Sequence, residues 1–222
     1  MITAVARFRP SPTRIVLPDI ACDLLWIEGK LLITGPQQRG GPCAHVGQEV
    51  LLMKLERSAA RSILGMPISE LTDRAEPLAD FHPQLARLIE RHIETDTVHE
   101  LLGRGEPRDD RFVAASRALA RGMKVRATAE LVNLGERQLE RLFADRAGVR
   151  PVMYARISRL HRGVDASRTV PLARAAAVSG YADQSHFSRE VRDLTGSTPR
   201  SLVTDVGSVQ ELEMGSFYRP EP

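Results

Sequence analysis

Between residues 135 and 199 the apolar positions of the chain recur twice in the same order. The first copy runs Leu139, Arg141, Phe143, Gly148, Pro151. The second runs Phe187, Arg189, Val191, Gly196, Pro199, with an apolar residue at each apolar position. The offset is 48 residues here and 47 upstream, where Ala129 pairs with Ala176 and Asn133 with Gly180. A repeat of this length is one supersecondary unit used twice. Each copy reads as a helix-turn-helix. Val125–Val132 and Leu172–Ser179 form the first helices, each with a small alanine over which the next helix crosses closely. Asn133 and Gly180 stand at the turns, and both residue types accept a left-handed backbone. Asp183 predicts an N-cap for the second helix of copy two, and Gly135 a weaker one in copy one. In those second helices Leu139, Leu142 and Phe143 share one face, as do Phe187, Val191 and Leu194. The opposite faces are polar, with Arg137, Gln138, Glu140 and Arg141 in one and Gln184, Ser185, His186 and Arg189 in the other. Gly148 and Gly196 stop the helices, and Pro151 and Pro199 start the next segments.

The N-terminal part follows another period. Residues 1–55 read mostly as strand: 13–17 closed by Pro18, then Cys22–Ile27, Lys30–Thr34 and Glu49–Leu55. Glu28-Gly29 is a tight hairpin turn, while Gly40-Gly41-Pro42 belongs to a loop. So few strands predict a small sheet or a compact cupin-like sandwich. From Ala79 to Leu102, Leu85, Leu88, Ile89, Ile93, Val98 and Leu101 recur at near-helical spacing. Gly103–Pro107 breaks the run, and Asp109 or Asp110 caps a second helix through Phe112 and Leu119 to Arg121. This pair either packs on the sheet to complete its core or forms a dimer interface. Ala155–Val164 predicts a helix linking the two repeats, with Arg156, Arg159, His161 and Arg162 on its polar side. The expected class is α+β. A mostly-β domain spans 1–78, helical linker segments 79–122, an all-α domain with two helix-turn-helix units 123–203, and a frayed tail 204–222.

Charge sharpens this picture. Residues 1–123 carry 16 basic and 16 acidic groups, residues 124–202 carry 14 and 8, and the tail carries 1 and 4. The positive excess sits in the repeat, where it suits a phosphate backbone, although a solvated arginine-rich surface has the same composition. Lysines stand only at 30, 54 and 124, so this charge is almost all guanidinium. Cys22 and Cys43 form no metal spacing and no disulfide framework. No segment has the form of a signal peptide or the length of a membrane span, so the expectation is a cytoplasmic protein with reduced thiols and no membrane contact.

Candidate chemistry outside the repeat is sparse. His45 lacks a partner histidine, and His92 and Asp96, spaced to share a helix face with His99 three residues further on, have no second pair to support them, so neither a metal nor any other cofactor is expected. Cys22 reads as a buried small apolar residue rather than a nucleophile, and Cys43 as a loop thiol. Trp26 lies on an apolar strand beside Cys22 and Asp23. These three are the candidate effector pocket, against the alternative of a core tryptophan with no ligand.

The run Gly180-Tyr181-Ala182-Asp183-Gln184-Ser185-His186-Phe187-Ser188-Arg189 resembles the signature of the second helix-turn-helix in AraC-type transcriptional regulators. The likeness extends from about Lys124 to Leu202. A looser one, through Leu17-Pro18-Asp19, Cys22-Asp23-Leu24, Gly35-Pro36, Leu64-Gly65-Met66-Pro67 and Leu71-Thr72-Asp73-Arg74, resembles the sensor domain of one branch of that family. The resemblance implies double-stranded DNA as partner, RNA polymerase as a further one, a homodimer through sensor-side helices, and no enzymatic activity. It also implies that Arg137, Gln138, Glu140, Arg141, Gln184, Ser185, His186 and Arg189 face the groove, although the places of Arg141 and Arg189 in the repeat equally suit a phosphate contact or an intradomain ion pair; Arg150 and Arg200 are expected at phosphates. The expected function is a sequence-specific regulator controlled by a small molecule. The alternatives are a ligand-free regulator whose N-terminal domain only oligomerises, and a DNA-repair-linked bifunctional protein. The latter would need a zinc-bound cysteine cluster that two cysteines cannot supply.

Overall fold

The computed structural model describes residues 2–12, 15–101 and 110–204. In chain order its elements are β1 (Ile2–Phe8), β2 (Ile15–Val16), β3 (Asp23–Ile27), β4 (Lys30–Thr34), β5 (Gly41–Pro42), β6 (Val50–Leu55), α1 (Ala60–Leu64), a 3-10 turn at Ile68–Leu71, β7 (Ala75–Pro77), α2 (Leu78–Phe81), α3 (Pro83–Glu94) and a second 3-10 turn at Val98–Leu101. The helical part follows with α4 (Asp110–Ala120), α5 (Val125–Leu131), α6 (Glu136–Ala147), α7 (Pro151–Ser167), α8 (Leu172–Val178), α9 (Gln184–Thr195) and α10 (Pro199–Thr204).

Five strands form one antiparallel sheet in the order β1-β6-β3-β4-β7, and β2 pairs separately with β5. The β3–β4 hairpin turns at Glu28 and Gly29, with φ of 50° and 78°, the two positive values that a two-residue hairpin loop requires. The apolar strand β6 is buried along its whole length between β1 and β3. Its register Leu24↔Met53 and Leu25↔Leu52 sends alternate residues to opposite faces. β1 is an addition to the expected strands. Its buried positions are Ile2 and Ala6, and an alanine carries little strand signal. Gly41-Pro42, expected as loop, is instead the partner of Ile15-Val16. Of the strand expected over 13–17, Thr13 and Arg14 lie outside the described residues, as does most of the tail.

The helical segment expected over 79–102 is divided. Pro83 opens α3, which stops at Glu94, and Asp96 takes a left-handed φ of 54°. His92 and Asp96 therefore do not share a helix face. His92 Nδ1 bonds Thr97 Oγ1 at 2.8 Å instead. The two linker helices also part company. Leu85, Ala86 and Ile89 of α3 close the core of the sheet beside Leu24, Ile33 and Met53. In α4, Phe112, Ala115 and Leu119 pack with Leu139, Phe143 and Tyr154. Phe143 meets Phe112 and Tyr154 edge-on, at 5.3 and 5.1 Å between centroids. α4 is thus part of the first helix-turn-helix core, not of a sheet-covering pair.

A third cluster joins Leu160 and Val164 of α7 to Ala176, Phe187, Val191 and Leu194. The single helix α7 therefore serves both helix-turn-helix cores. Among the described N-terminal residues Ile20 enters the first of these cores and Leu17 the second, with Ile15 packed against the latter, so the two domains share packed surface.

Candidate nucleic-acid interface

Each unit's geometry begins in its turn. Asn133 and Gly180 have φ of 53° and 82°. In both units the amide after that residue bonds back to the repeat alanine: Leu134 N–H to Ala129 O at 2.9 Å, and Tyr181 N–H to Ala176 O at 3.0 Å. Asp183 caps α9 by accepting from the His186 N–H at 2.7 Å. Gly135 has no side chain to do this for α6, and Gln138 Oε1 reaches back to accept the Gly135 N–H at 2.9 Å. Both helices end on left-handed glycines, Gly148 and Gly196, with φ of 66° and 69°.

On α6, Arg137, Gln138 and Arg141 are exposed, and on α9, Gln184, Ser185 and Arg189 are exposed. The other two expected readers are engaged within the protein. Glu140 is half-buried and pairs with Arg150 at 2.8 Å, so a carboxylate expected at a base and an arginine expected at a phosphate face each other. His186 is half-buried, edge-on to the Tyr181 ring at 5.3 Å. Arg192, which is also exposed, was not among the expected readers. It lies three residues beyond Arg189 and seven beyond Ser185, and that spacing was the available signal.

The expected polar side of the connector is not a solvated face. Arg156 bonds Glu190 at 3.1 Å and Asp193 at 2.7 Å. Arg159 bonds Glu190 at 2.9 Å and lies 4.6 Å over the Tyr181 ring. Arg162 donates to the carbonyls of Ala120 and Ser179, and His161 Nε2–H to Pro18 O at 2.6 Å. Burial by itself would raise the Glu190 carboxyl, yet the two guanidiniums hold it below its ordinary range. The hydrogen bond from Arg156 lowers Asp193 as well. The Tyr181 hydroxyl is pushed up to about 12, by burial first and then by Glu190. α9 is thereby set at one angle on α7.

A cavity of about 540 Å³ lies between the sheet and α7. Asp23, Leu25 and Leu52 line it from the sheet, and Ile157, His161 and Asp165 from α7. Strand alternation separates the three expected pocket residues. Asp23 faces the cavity, whereas Cys22 and Trp26 project from the other face onto the β-sheet core. The Cys22 thiol is pushed up to about 12 by burial and by the adjacent Asp23, so it is an inert core residue. Cys43 is half-buried at the cavity wall. Beside the cavity Lys54, 3% exposed, bridges Asp19 at 2.9 Å and Asp23 at 3.1 Å. Burial opposes the Asp19 charge, but Lys54, Arg57 and His161 together hold that carboxyl well below the usual range. Arg57 donates to the Tyr154 hydroxyl at 3.0 Å, and its buried Nε has no hydrogen-bond partner among the described residues. Among those residues no three or more His, Cys, Asp or Glu side chains converge to hold a metal, and no helix is long and apolar enough to cross a membrane.

Two helix-turn-helix units in series, joined by one helix and each presenting a polar face, have the architecture of a helix-turn-helix DNA-binding domain. Residues 128–204 match a family model described as a helix-turn-helix domain. The match falls on the segment whose sequence resembles the DNA-binding domain of AraC-type transcriptional regulators. Among solved structures, an apo point variant of ToxT from Vibrio cholerae aligns over 91% of this chain and 97% of its own, with 11% identity and a TM-score of 0.50. ToxT from strain O395 aligns over 92% and 98%, with 10% identity and a TM-score of 0.49. The first of these likenesses extends the shared fold over 91% of this chain, a mostly-β domain followed by the helical one. No curated protein matches the chain in sequence.

Proposed function

We propose that the protein is a sequence-specific regulator of transcription whose two recognition helices read neighbouring stretches of one duplex, under the control of a small molecule held between its domains. The observation that carries this reading is the equivalence of the two units: α6 and α9 share turn, helix length and terminal glycine, and both expose arginine on the face away from the core. A recognition helix lies in the major groove, and two on one face of the duplex occupy grooves about 34 Å apart. Arg137, Arg141 and Arg189 can each grip guanine O6 and N7 with two hydrogen bonds. On DNA the Glu140–Arg150 pair has an alternative, with cytosine N4 for the carboxylate and a phosphate for the guanidinium.

The cavity volume falls within the range of about 300–1,000 Å³ usual for small-molecule sites. The apolar part of its walls, from Leu25, Leu52 and Ile157, and the unpartnered Arg57 Nε suit a ligand with an acceptor oxygen and an apolar body. RNA polymerase and a second copy of the chain are the protein partners this reading implies, and the cytoplasm is its compartment.

Selection of bound fragments from a random DNA pool tests the reading. The full chain should enrich one bipartite site. Arg137→Ala should relax base preference at one end and Arg189→Ala at the other, each costing about 1–3 kcal/mol on the preferred sequence. Loss of preference at the same base pairs in both variants would refute the two-groove arrangement. Repeating the selection with small-molecule metabolites present should shift affinity. An unmoved profile would leave the N-terminal domain an oligomerisation module.

A further inference from the structure

The segment 35–40 of the N-terminal domain touches the C-terminal ends of both recognition helices. It is braced on two sides. Gln37 and Asp19 exchange backbone hydrogen bonds at 2.7 and 3.0 Å. The Asp73 carboxylate accepts the Gln38 backbone N–H at 2.7 Å and its side-chain amide at 2.9 Å, while the Asp73 N–H donates to Pro36 O at 2.8 Å. Gly35 and Gly40 pack where no side chain fits. A Cβ would fall 1.9 Å from Leu71 O at the first and 2.2 Å from Val16 O at the second.

From this braced segment two sets of contacts cross to the DNA-binding domain. The Gly40 N–H donates to Leu194 O at 2.7 Å and Arg39 donates to Asp193 O at 3.2 Å, both in the last turn of α9. On the other side Pro36, Ile68 and Thr72 enclose Gly148, the glycine that ends α6. A Cβ there would lie 3.0 Å from Pro36 Cγ, and Thr72 Oγ1 donates to Gly148 O at 2.6 Å. Gly148 and Gly196 are equivalent positions of the repeat, so one domain holds the corresponding end of each recognition helix. α7 ties the two units covalently; segment 35–40 is a second tie that closes the frame. Arg137 and Arg141 lie on the first two turns of α6 and Arg189 at the middle of α9, and these contacts leave those three clear.

We propose that segment 35–40 sets the spacing between α6 and α9, which makes Arg39, Gly40 and Thr72 determinants of the half-site separation the protein accepts. The proposal rests on the DNA-binding reading above and gives the N-terminal domain a direct route to the DNA. Gln37 and Gly40 also line the cavity, so a ligand there bears on the same segment.

The test measures fluorescence anisotropy of the full chain on its selected site, with base pairs inserted or removed between the two halves. One base pair displaces the half-sites by about 3.4 Å and about 35°. The parent should lose about tenfold or more in affinity at this change. Arg39→Ala combined with Thr72→Val, and separately Gly40→Ala, should lose less than about threefold, with base preference inside each half retained. The Arg39/Thr72 variant alters no core packing, so it decides the matter if Gly40→Ala fails to fold. A folded Arg39/Thr72 variant with the parent's sharp spacing profile would overturn the proposal, as would a parent already indifferent to spacing, while the DNA-binding reading stands in both cases. A parent that selects no site at all overturns the DNA-binding reading, and this proposal with it.

Discussion

Gly163→Ala in the middle of α7 is a substitution whose sign depends on one close approach. An alanine in a helix interior ordinarily stabilises by about 0.5–1 kcal/mol relative to glycine. At Gly163, however, a Cβ would lie 2.6 Å from Cε2, 3.0 Å from Cζ and 3.2 Å from Cδ2 of Phe187. Phe187 is wholly buried and hemmed in by Leu160, Val164 and Val191, so the ring has nowhere to swing. Overpacking of this kind costs about 1–3 kcal/mol. The variant should therefore be net destabilised by about 1–2 kcal/mol, despite its better helix propensity. Phe187→Ala alone should cost about 3–5 kcal/mol. In the double variant the clash is gone and the alanine methyl partly fills the space, so the two effects should fall short of additive by about 1–3 kcal/mol. Urea unfolding followed by far-UV circular dichroism reports the helices. Fluorescence of the lone Trp26, packed on the other domain's core, reports the sheet in the same samples. A Gly163→Ala chain that gains stability and shows no coupling to Phe187 would refute the placement of α9 on α7.

Two predictions concern pH. Glu190 has a depressed pKa, so its contribution is present above its ordinary value of about 4.3 and lost as pH falls through the folded value. Glu190→Gln should destabilise by about 1–3 kcal/mol at pH 7, and thermal melts of variant and parent should converge in acid. A gap that persists unchanged at low pH would count against the Arg156–Glu190–Arg159 network. Asp165, beside the cavity, has the opposite sign: burial raises its pKa against the pull of Arg168 and His161. Its charge disfavours the fold as pH rises above about 4, so Asp165→Asn should melt slightly higher at pH 7 and lose that advantage in acid, which differential scanning calorimetry can follow.

The helices of the repeat were readable from the chain itself, because their determinants lie within a few residues of one another. The period of Leu139 and Phe143, the Asp183 cap, the left-handed Asn133 and Gly180, and the closing glycines are all local constraints, and so is the Glu28-Gly29 hairpin. The exposed polar faces of α6 and α9 followed from the same periodicity, except at Glu140 and His186, which contact other parts of the protein. What the chain could not reveal by itself is which surfaces meet. β1 is a strand because β6 pairs with it across the whole N-terminal domain, and Gly41-Pro42 because Ile15-Val16 does. α4 carries an ordinary apolar stripe that would suit either domain, and only the space beside Phe143 and Tyr154 assigns it to the second. The alternation that puts Asp23 and Cys22 on opposite faces is implicit in any strand, but which face borders a cavity depends on where α7 lies. The arginines of α7 look solvated in sequence and are bonded in the fold, since Glu190 and Asp193 arrive from more than thirty residues away. Local backbone preference is written in neighbouring residues, whereas burial and charge pairing belong to surfaces that exist only after the chain has folded.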